Sequence, residues 1–260
     1  MTGGSHEGES GASGPAGSEN DTSRRESGGN SGSNSGSNFG SNTGSNIGSG
    51  INRESYDAIA RQWDAARTSF HGSERRYLDA LLEGLTAPAH ILDLGCGTGR
   101  PMAEYVLARG HQVTGVDQSE ELLTLARTRF PEGEWIRSRV EDFLGAVDGT
   151  GIYDGAITWD SLFHIERDRH EGILSDVHRA LVPGGRLMLT AGGSAHPAFT
   201  DTMFDREFFY DSHPPERLVG LLRELGFEIV VNEFMNLPTS GRDKGRIAIV
   251  VQKHRSRTTQ

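Results

Sequence analysis

The sequence feature that most limits the possible folds is the segment Asp93-Leu94-Gly95-Cys96-Gly97-Thr98-Gly99. It follows a short apolar run over 90–94, which is typical of a buried strand, and precedes a predicted helix. Glycines permit positive φ and close approach of backbone to a ligand, and a helix start offers free N–H groups to an anion. Alone, the segment fits nucleotides, dinucleotides and a simple tight turn about equally. It predicts a strand–turn–helix unit.

Strand and helix patterns alternate along the rest of the chain. Strands are predicted over 90–94, 112–117, 134–138, 153–159, 186–191, 228–234 and 246–252. Helices are predicted over 56–67, 73–85, 101–109, 119–130, 167–181 and 215–225, with a short helix or loop over 141–147. This order implies right-handed crossovers and a doubly wound, mostly parallel α/β sheet. The last two strands lack an intervening helix, so we expect them to pair antiparallel at the sheet edge.

The first fifty residues differ in composition from the rest of the chain. They are almost entirely Gly, Ser, Asn and Thr with a few charges, and a four-residue repeat related to Ser-Gly-Ser-Asn runs over 31–46. Such a segment has almost no apolar surface to bury and cannot offset the entropy lost on ordering. We therefore expect a disordered tail over 1–50, or alternatively a specific interaction tail, followed by one folded domain over 51–260.

Charge and cysteine content narrow the function classes. The net charge is −10, which argues against a nucleic-acid or anionic-membrane surface. The sequence has no apolar run of 18 residues and no apolar signal-peptide core. Its single cysteine, Cys96, excludes an internal disulfide. These features favour a cytoplasmic protein without a membrane or nucleic-acid partner, and we expect a monomer or homodimer.

Two further acidic positions follow predicted strands, at the edge where open α/β sheets bind ligands. Asp117 ends the second strand about twenty residues after the glycines, where a carboxylate can accept hydrogen bonds from both hydroxyls of a ribose. The alternative is a helix-capping acid. Glu141-Asp142-Phe143 follows the third strand, where a carboxylate beside an apolar contact can accept from an adenine amine. The alternative there is an ordinary acid at a helix start.

Taken together, these motifs resemble those of class I S-adenosylmethionine-dependent methyltransferases. The resemblance rests on the segment 91–99, on Asp117, on the Glu141-Asp142 pair and on Pro183-Gly184-Gly185, and it covers roughly 56–253. It implies a Rossmann-like, seven-stranded sheet with an antiparallel edge strand and an N-terminal helical cap. It also implies S-adenosylmethionine as cofactor and no metal.

The resemblance assigns roles by position. Asp93 would orient the glycine loop, while Gly95, Cys96 and Gly97 would contact the methionine part. Asp117 would hold the ribose and Gln118 would lie beside the adenine. The other residues implied to surround the cofactor are Tyr56, Trp63, Arg100, Glu141, Asp142, Phe143 and Trp159. Arg100 would approach the cofactor carboxylate, or alternatively be a solvated arginine.

The acceptor side is less constrained by the sequence. His164 and Asp160 follow the fourth strand at the mouth of the expected site and are the candidate catalytic residues, with His164 as a base or alternatively a structural histidine. The segment 192–215 is too long for a plain connection and is interpreted as a substrate cap. The large apolar residues of this segment favour an apolar or aromatic acceptor. Alternatively, they only pack the cap onto the sheet. These residues are Phe199, Met203, Phe204, Phe208, Phe209 and Tyr210.

We therefore expect methyl transfer by in-line displacement to an N-, O- or C-nucleophile of a small molecule. A non-catalytic S-adenosylmethionine-binding or regulatory domain on the same fold is the main alternative. A nicotinamide oxidoreductase is disfavoured, because Gly-x-Gly-x-x-Gly is absent: the residue three after Gly97 is Arg100.

Overall fold

The computed structural model describes residues 47–240 and 244–255. The predicted tail therefore lies outside the described residues up to residue 46. Its last four residues belong to helix α1, which spans Ile47–Ala66, so the folded part begins earlier than Ile51. The first turn of α1 is tied to the domain because Gly48 donates its N–H to the Glu166 carboxylate at 3.2 Å.

The other elements follow in the expected alternation. The remaining helices are α2 (Glu74–Leu82), α3 (Met102–Leu107), α4 (Glu120–Arg129), α5 (Val140–Ala146), α6 (His170–Ala180) and α7 (Pro215–Glu224). The strands are β1 (His90–Leu94), β2 (Gln112–Asp117), β3 (Glu134–Arg137), β4 (Tyr153–Thr158), β5 (Leu181–Gly192), β6 (Phe199–Met203), β7 (Arg206–Tyr210), β8 (Phe227–Asn236) and β9 (Arg246–Lys253). Two 3₁₀ turns, Leu162–His164 and Arg167–Arg169, lie between β4 and α6.

The main sheet has seven strands in the order β3-β2-β1-β4-β5-β9-β8. The first five are parallel, and β9 runs antiparallel to both β5 and β8. The predicted fold class and the antiparallel pairing of the last two strands are therefore confirmed. The antiparallel strand β9 lies inside the edge pair, and β8 is the outer strand.

Period-two patterning explains why both faces of this sheet are covered. Ile247, Ile249 and Val251 of β9 belong to one apolar cluster, which includes residues of α6 and α7. Ala248 and Val250 point to the other face and join a second cluster with residues of α2, α3 and α4. The sheet thus lies between two helical layers, and its strand ends are left open at one edge for a site.

Three predicted boundaries differ from the structure. The helix predicted over 101–109 is only Met102–Leu107, because the chain turns through Gly110 at φ 78°. The helix predicted over 167–181 begins with a 3₁₀ turn and is α-helical from His170. Strand β5 begins at Leu181 rather than Arg186, since Tyr153 pairs with Leu181 and the Pro-Gly-Gly segment forms the irregularity before the next pair.

The prediction that the segment 192–215 is irregular is wrong, because the segment contains two strands. Strands β6 and β7 form a two-stranded antiparallel hairpin in register from Phe199–Tyr210 to Met203–Arg206. Phe204 and Asp205 form its turn with φ of 50° and 58°. The hairpin's partner is α1, a contact between segments roughly 150 residues apart.

Candidate functional site

The glycine-rich turn joins β1 to α3 at the carboxyl edge of the parallel strands. Gly95, Gly97 and Gly99 have φ of 78°, 53° and 78°, a conformation that favours glycine. A Cβ on Gly95 would overlap the Cβ of Ser161 and lie 2.8 Å from its Oγ. The Gly95 N–H donates to the Val116 carbonyl oxygen at 2.8 Å. The loop is therefore fixed against β2 and against the chain after β4.

Asp117 ends β2 beside this loop. Its Oδ2 accepts the Gly97 N–H at 2.9 Å, and its Oδ1 accepts the Ser119 N–H at 2.9 Å. Burial raises the pKa of the Asp117 carboxyl, and the backbone N–H donors oppose this rise. A carboxylate offers about four acceptor positions, so both oxygens can still accept from ligand hydroxyls. Asp117 thus connects the glycine loop to the start of α4 while facing the cleft.

The side chains of Asp93 and Cys96 are buried. Burial, followed by repulsion from Asp117, raises the pKa of Asp93 to about 7. The Cys96 Sγ packs in the core, 2.9 Å from where a Cβ on Gly115 would lie. Burial and the two carboxylates also raise the pKa of this thiol. Cys96 therefore offers its backbone to the cleft, and its thiol is held protonated in the core.

Glu141 is held by two arginines at the start of α5. Its Oε1 accepts from Arg139 at 2.8 Å and from Arg169 at 2.9 Å. Burial raises the pKa of Glu141, but hydrogen bonds from its own backbone, Arg169 and Arg139 lower it overall. The carboxylate is therefore charged and fixed at the cleft.

The next two residues do not reach the cleft. Asp142 is exposed on α5, and Phe143 packs against the core cluster of α6 and α7. The helical register accounts for this, because successive residues of a helix point about 100° apart. The adenine-flanking role predicted for Asp142 and Phe143 therefore has no support in the cleft geometry, whereas Ser138, Arg139 and Val140 lie on its wall.

The structure brings most of the predicted site residues to one cleft. Its empty space, including the part open to solvent, is about 940 Å³. The predicted residues on its wall are Tyr56, Trp63, Asp93, Gly95, Cys96, Gly97, Arg100, Asp117, Gln118, Glu141, Trp159, Asp160 and His164. Wall residues that the sequence did not indicate are Asn52, Arg67, Met102, Leu122, Ser138, Arg139, Val140, Ser161 and Ile165.

Trp159 is anchored from behind by a buried carboxylate. Its Nε1 donates to Oε1 of Glu74 at 3.1 Å, and the Glu74 side chain is fully buried. Glu74 also accepts from Arg67 Nη1, at 3.2 and 3.1 Å, and from the His71 N–H at 2.9 Å. Four donor contacts therefore connect the end of α1, the start of α2 and the end of β4.

Asp160 has a strained backbone and a paired side chain. Its φ is 52°, which is uncommon for a non-glycine residue and recurs at functional sites. Both its oxygens accept from Arg246 Nη1 at 2.8 Å, and Thr190 donates to Oδ1 at 3.1 Å. Burial raises the pKa of Asp160, and Arg246 opposes the rise. This pairing occupies Asp160 and favours a positioning role over proton abstraction.

His164 is 8% exposed and makes two hydrogen bonds with its ring. Its Nδ1 lies 2.9 Å from the Phe209 carbonyl oxygen, and its Nε2 lies 3.1 Å from the Tyr56 hydroxyl. A carbonyl oxygen only accepts, so Nδ1 carries the proton and Nε2 accepts from Tyr56. Burial lowers the pKa of His164 to about 4, against the effect of the Phe209 carbonyl. The ring is therefore neutral near pH 7.

This burial predicts a pH-dependent stability. The folded protein holds the pKa of His164 at about 4, below the ordinary histidine value of 6.5, so the unfolded chain binds the proton more tightly. The contribution of His164 to stability is then complete above pH 6.5 and falls by about 3 kcal/mol as the pH approaches 4. The raised pKa of Asp93 acts in the opposite direction over this range, so the effect of His164 is measured as a difference between two proteins. Urea unfolding at pH 7 and pH 4 should show a change in the wild type that is about 3 kcal/mol more unfavourable than the change in His164→Asn. Equal changes in both proteins would contradict it.

Side chains of α1 satisfy the free edge of β7. The Asn52 amide is fully buried; its Oδ1 accepts the Phe209 N–H at 2.8 Å, and its Nδ2 donates to the Phe209 and His164 carbonyl oxygens at 3.1 Å. Ser55 donates to the Glu207 carbonyl oxygen at 2.6 Å. The side chains of α1 therefore form the hydrogen bonds that a third strand would form with β7. The same helix places Tyr56 on the cleft wall.

Two buried polar atoms near the glycine loop make no hydrogen bond to another of the described residues. They are the Thr98 hydroxyl and Nε of Arg100. Arg100 lies on the cleft wall, and its ion pair with Glu104 is loose at 3.7 Å. A buried donor without a partner costs free energy, so these atoms suit a ligand that supplies an acceptor.

Within residues 47–240 and 244–255, no three His, Cys, Asp or Glu side chains are grouped to hold a metal ion. In the same part of the chain, no helix combines the length and apolar character needed to cross a bilayer.

Comparisons with known proteins agree with this geometry. A family model described as a methyltransferase domain matches residues 91–185, from β1 to the Pro-Gly-Gly segment. Over these residues the chain is similar to methyltransferase domains. This confirms the resemblance seen in the motifs, since the matched range includes the glycine loop, Asp117 and Glu141 of the cleft.

Curated relatives of the chain include the O-methyltransferase cnsE of Penicillium expansum, 32% identical over 54% of the chain and 52% of the relative. A ubiquinone biosynthesis O-methyltransferase of Xanthomonas oryzae is 29% identical over 60% of the chain and 66% of the relative. The chain thus spans between about half and two thirds of these relatives. Burkholderia thailandensis 1,6-didemethyltoxoflavin-N1-methyltransferase, solved with 1,6-didemethyltoxoflavin and S-adenosylhomocysteine, shares the fold with a TM-score of 0.60 and 24% identity, over 79% of the chain and 88% of that structure.

Proposed function

We propose that the protein transfers a methyl group from S-adenosylmethionine to a small-molecule acceptor. The proposal rests on the hydrogen bond that the Gly97 N–H donates to the Asp117 carboxylate, with both residues on the wall of one cleft. This arrangement places a fixed carboxylate and a glycine backbone side by side, as a ligand with both ribose hydroxyls and a charged amino-acid end requires.

The residues of the cleft fit this cofactor. Gly97 leaves room for backbone contact, since the nearest atom to its Cβ position is Trp63 Nε1 at 3.7 Å, and Arg100 provides an Nε donor that makes no hydrogen bond among the described residues. Gly95, Cys96, Gly97 and Arg100 would hold the methionine part, Asp117 and Gln118 the ribose, and Ser138, Arg139, Val140 and Glu141 the adenine. When bound, the cofactor supplies an electrophilic methyl group on a sulfonium.

The protein's own contribution is alignment and exclusion of water. Tyr56 and Trp63 of α1 line the cleft together with Trp159 of the β4 end. Trp159 is fixed by Glu74, and the Tyr56 ring meets Trp63 edge-on with centroids 5.5 Å apart. A rigid aromatic wall of this kind favours a nucleophile held in line with the methyl group. It also supports an enzyme over a non-catalytic binding domain, which needs no such wall.

The acceptor proposed is a small metabolite. Two of the relatives named above are O-methyltransferases, one of them of ubiquinone biosynthesis, and the solved structure is an N1-methyltransferase with bound 1,6-didemethyltoxoflavin; these names support this class. Incubation of a metabolite extract with methyl-labelled S-adenosylmethionine, followed by mass spectrometry, would identify the labelled product. The cytoplasmic location and the monomeric or homodimeric state stay predictions.

The test of cofactor binding uses two carboxylates of contrasting position. Asp117→Asn removes the charge that faces the ribose site and should weaken S-adenosylmethionine binding about 10- to 100-fold, because a hydrogen bond to a charged group contributes roughly 1.5–3 kcal/mol. Asp142→Asn changes an exposed carboxylate outside the cleft and should leave the affinity unchanged. Calorimetry measures both.

The proposal fails if the wild-type protein does not bind S-adenosylmethionine. It also fails if a folded Asp117→Asn, checked by circular dichroism, binds as tightly as the wild type. An Asp142→Asn variant that loses as much affinity as Asp117→Asn would move the adenine site back to the residues predicted from the sequence.

A further inference from the structure

We propose that Tyr56 is a catalytic residue that takes the proton of a hydroxyl acceptor while handing its own phenolic proton to His164. The inference rests on the proposed methyl transfer and narrows the acceptor to a molecule that is methylated on oxygen. It assigns to Tyr56 a role in proton transfer, where the sequence suggested contact with the cofactor, and it places His164 one hydrogen bond behind the acceptor.

The hydrogen-bond directions follow from the partners. The Phe209 carbonyl oxygen accepts from His164 Nδ1 at 2.9 Å and from the Asn52 amide at 3.1 Å. With Nδ1 protonated, the neutral ring has its lone pair on Nε2, 3.1 Å from the Tyr56 hydroxyl. Tyr56 must therefore donate to His164. The proton path runs from Tyr56 Oη to Nε2.

Tyr56 stands between His164 and any acceptor that uses this path. The lone pair of Nε2 is engaged by the Tyr56 O–H, so another hydroxyl can use it only by displacing Tyr56. The Tyr56 oxygen, in contrast, has free lone pairs that can accept one more hydrogen bond. Edge-on contacts with Phe208 and Trp63, at 4.8 and 5.5 Å between centroids, fix the ring in place.

Burial and, after it, the charges around Tyr56 keep its hydroxyl protonated. Burial raises the pKa of Tyr56 well above its ordinary value, and Tyr210, Asp160 and Asp117 raise it further, against Arg67. Tyr56 is therefore a poor free base and transfers a proton only as it receives one. His164, whose pKa burial lowers, is neutral and able to accept at physiological pH.

The bonds and charges balance. The acceptor O–H bond breaks as a new O–H bond forms on Tyr56, and the former Tyr56 proton moves to Nε2 of His164. The acceptor oxygen's electron pair forms the O–CH₃ bond, and the pair of the broken C–S bond stays on sulfur. The imidazolium forms as the sulfonium charge disappears, so the buried cleft carries no additional charge. The imidazolium then loses its proton to water when the product leaves.

Tyr56→Phe tests the relay, with Tyr105→Phe on α3 as the matched control outside the cleft. The acceptor is whatever small molecule in a metabolite extract receives the labelled methyl group. At pH 7, Tyr56→Phe should lower the initial rate about 100-fold or more and leave the affinity for S-adenosylmethionine within about threefold, as expected for a transition-state interaction. Tyr105→Phe should leave both unchanged.

A pH profile separates proton transfer from a structural role. In Tyr56→Phe the remaining rate should rise about tenfold per pH unit, because the acceptor must ionise in solution, whereas the wild-type rate should be flat above about pH 6. The rate of the double variant Tyr56→Phe/His164→Asn should be only slightly lower than that of Tyr56→Phe, since the two residues act in one proton path. If Tyr56→Phe lowered the rate by the same factor at every pH, the relay would be overturned.

A spectroscopic measurement is independent of turnover. Nitrogen-15 spectra of ring-labelled histidines, with His164 assigned by its loss in His164→Asn, should show a neutral ring protonated at Nδ1. An Nε2–H ring, or a labelled product methylated on nitrogen, would overturn the relay and leave methyl transfer intact. A wild-type protein that binds S-adenosylmethionine but labels nothing would overturn the proposed function, and the relay with it.

Discussion

Replacing Gly95 by alanine is expected to abolish S-adenosylmethionine binding and to lower the free energy of unfolding by about 2–5 kcal/mol, by adding a left-handed backbone penalty to an overpacking cost. The added Cβ would overlap the Ser161 side chain, and φ at this position is 78°. Ser161 cannot move freely, because its Oγ donates to the Leu94 carbonyl oxygen at 2.7 Å. The loop itself must therefore shift away from Asp117.

Urea unfolding and calorimetry measure the two effects. Gly220→Ala is the control, because nothing lies within 4 Å of its Cβ position in the middle of α7. This change should stabilise the protein by about 0.5–1 kcal/mol. Gly95→Ala/Ser161→Gly should regain part of the stability by removing the overlap. If Gly95→Ala binds the cofactor normally, the loop is not held by Ser161 as described.

The parallel sheet and its glycine loop were predictable because their signals are local. Strands β1 and β2 were predicted with the bounds that they have, His90–Leu94 and Gln112–Asp117. Short apolar runs followed by an acid or a glycine can be recognised in a few residues. The Ser119 cap of α4, which accepts the Leu122 N–H at 3.2 Å, is equally local.

The hairpin β6–β7 was not predictable because its stability depends on a distant partner. Strand β6 alternates between half-buried and exposed residues, whereas β7 does not alternate and has one fully buried residue, Phe208. The free edge of β7 is satisfied by Asn52 and Ser55 of α1, residues that look like ordinary polar positions of a helix. Only the folded chain brings these segments together, so neither the hairpin nor Asn52 had a signal in the sequence.

The candidate site was predictable by residue type and less so by role. His164 was predicted from its position after β4, but its partner Tyr56 lies 108 residues earlier in the chain. Asp142 and Phe143 were predicted one or two residues beyond the part of the chain that reaches the cleft. A motif locates a segment, whereas the helix register decides which side chain of that segment faces the ligand.

The second large effect is expected at Glu74. Glu74→Ala should lower the free energy of unfolding by about 3–5 kcal/mol, the cost of removing one partner of a buried ion pair. Arg67, whose side chain is 11% exposed, would lose its carboxylate, and Trp159 Nε1 would lose its acceptor. Both contacts join the cleft wall to α2, so S-adenosylmethionine affinity should fall in the same variant.

Glu83→Ala provides the matched control at the other end of α2. The Glu83 side chain is 73% exposed and pairs with Arg186 at 3.1 Å, and Arg186 also donates to the Ala80 carbonyl oxygen. Because the Glu83 carboxylate is open to water, which screens the pair, we expect the pair to contribute roughly 0–1 kcal/mol. Urea unfolding followed by tryptophan fluorescence should therefore separate the two variants by at least about 2 kcal/mol. Equal effects would mean that Glu74 does not hold Arg67 and Trp159 in place, and that the cleft wall at the end of β4 is stabilised by apolar packing alone.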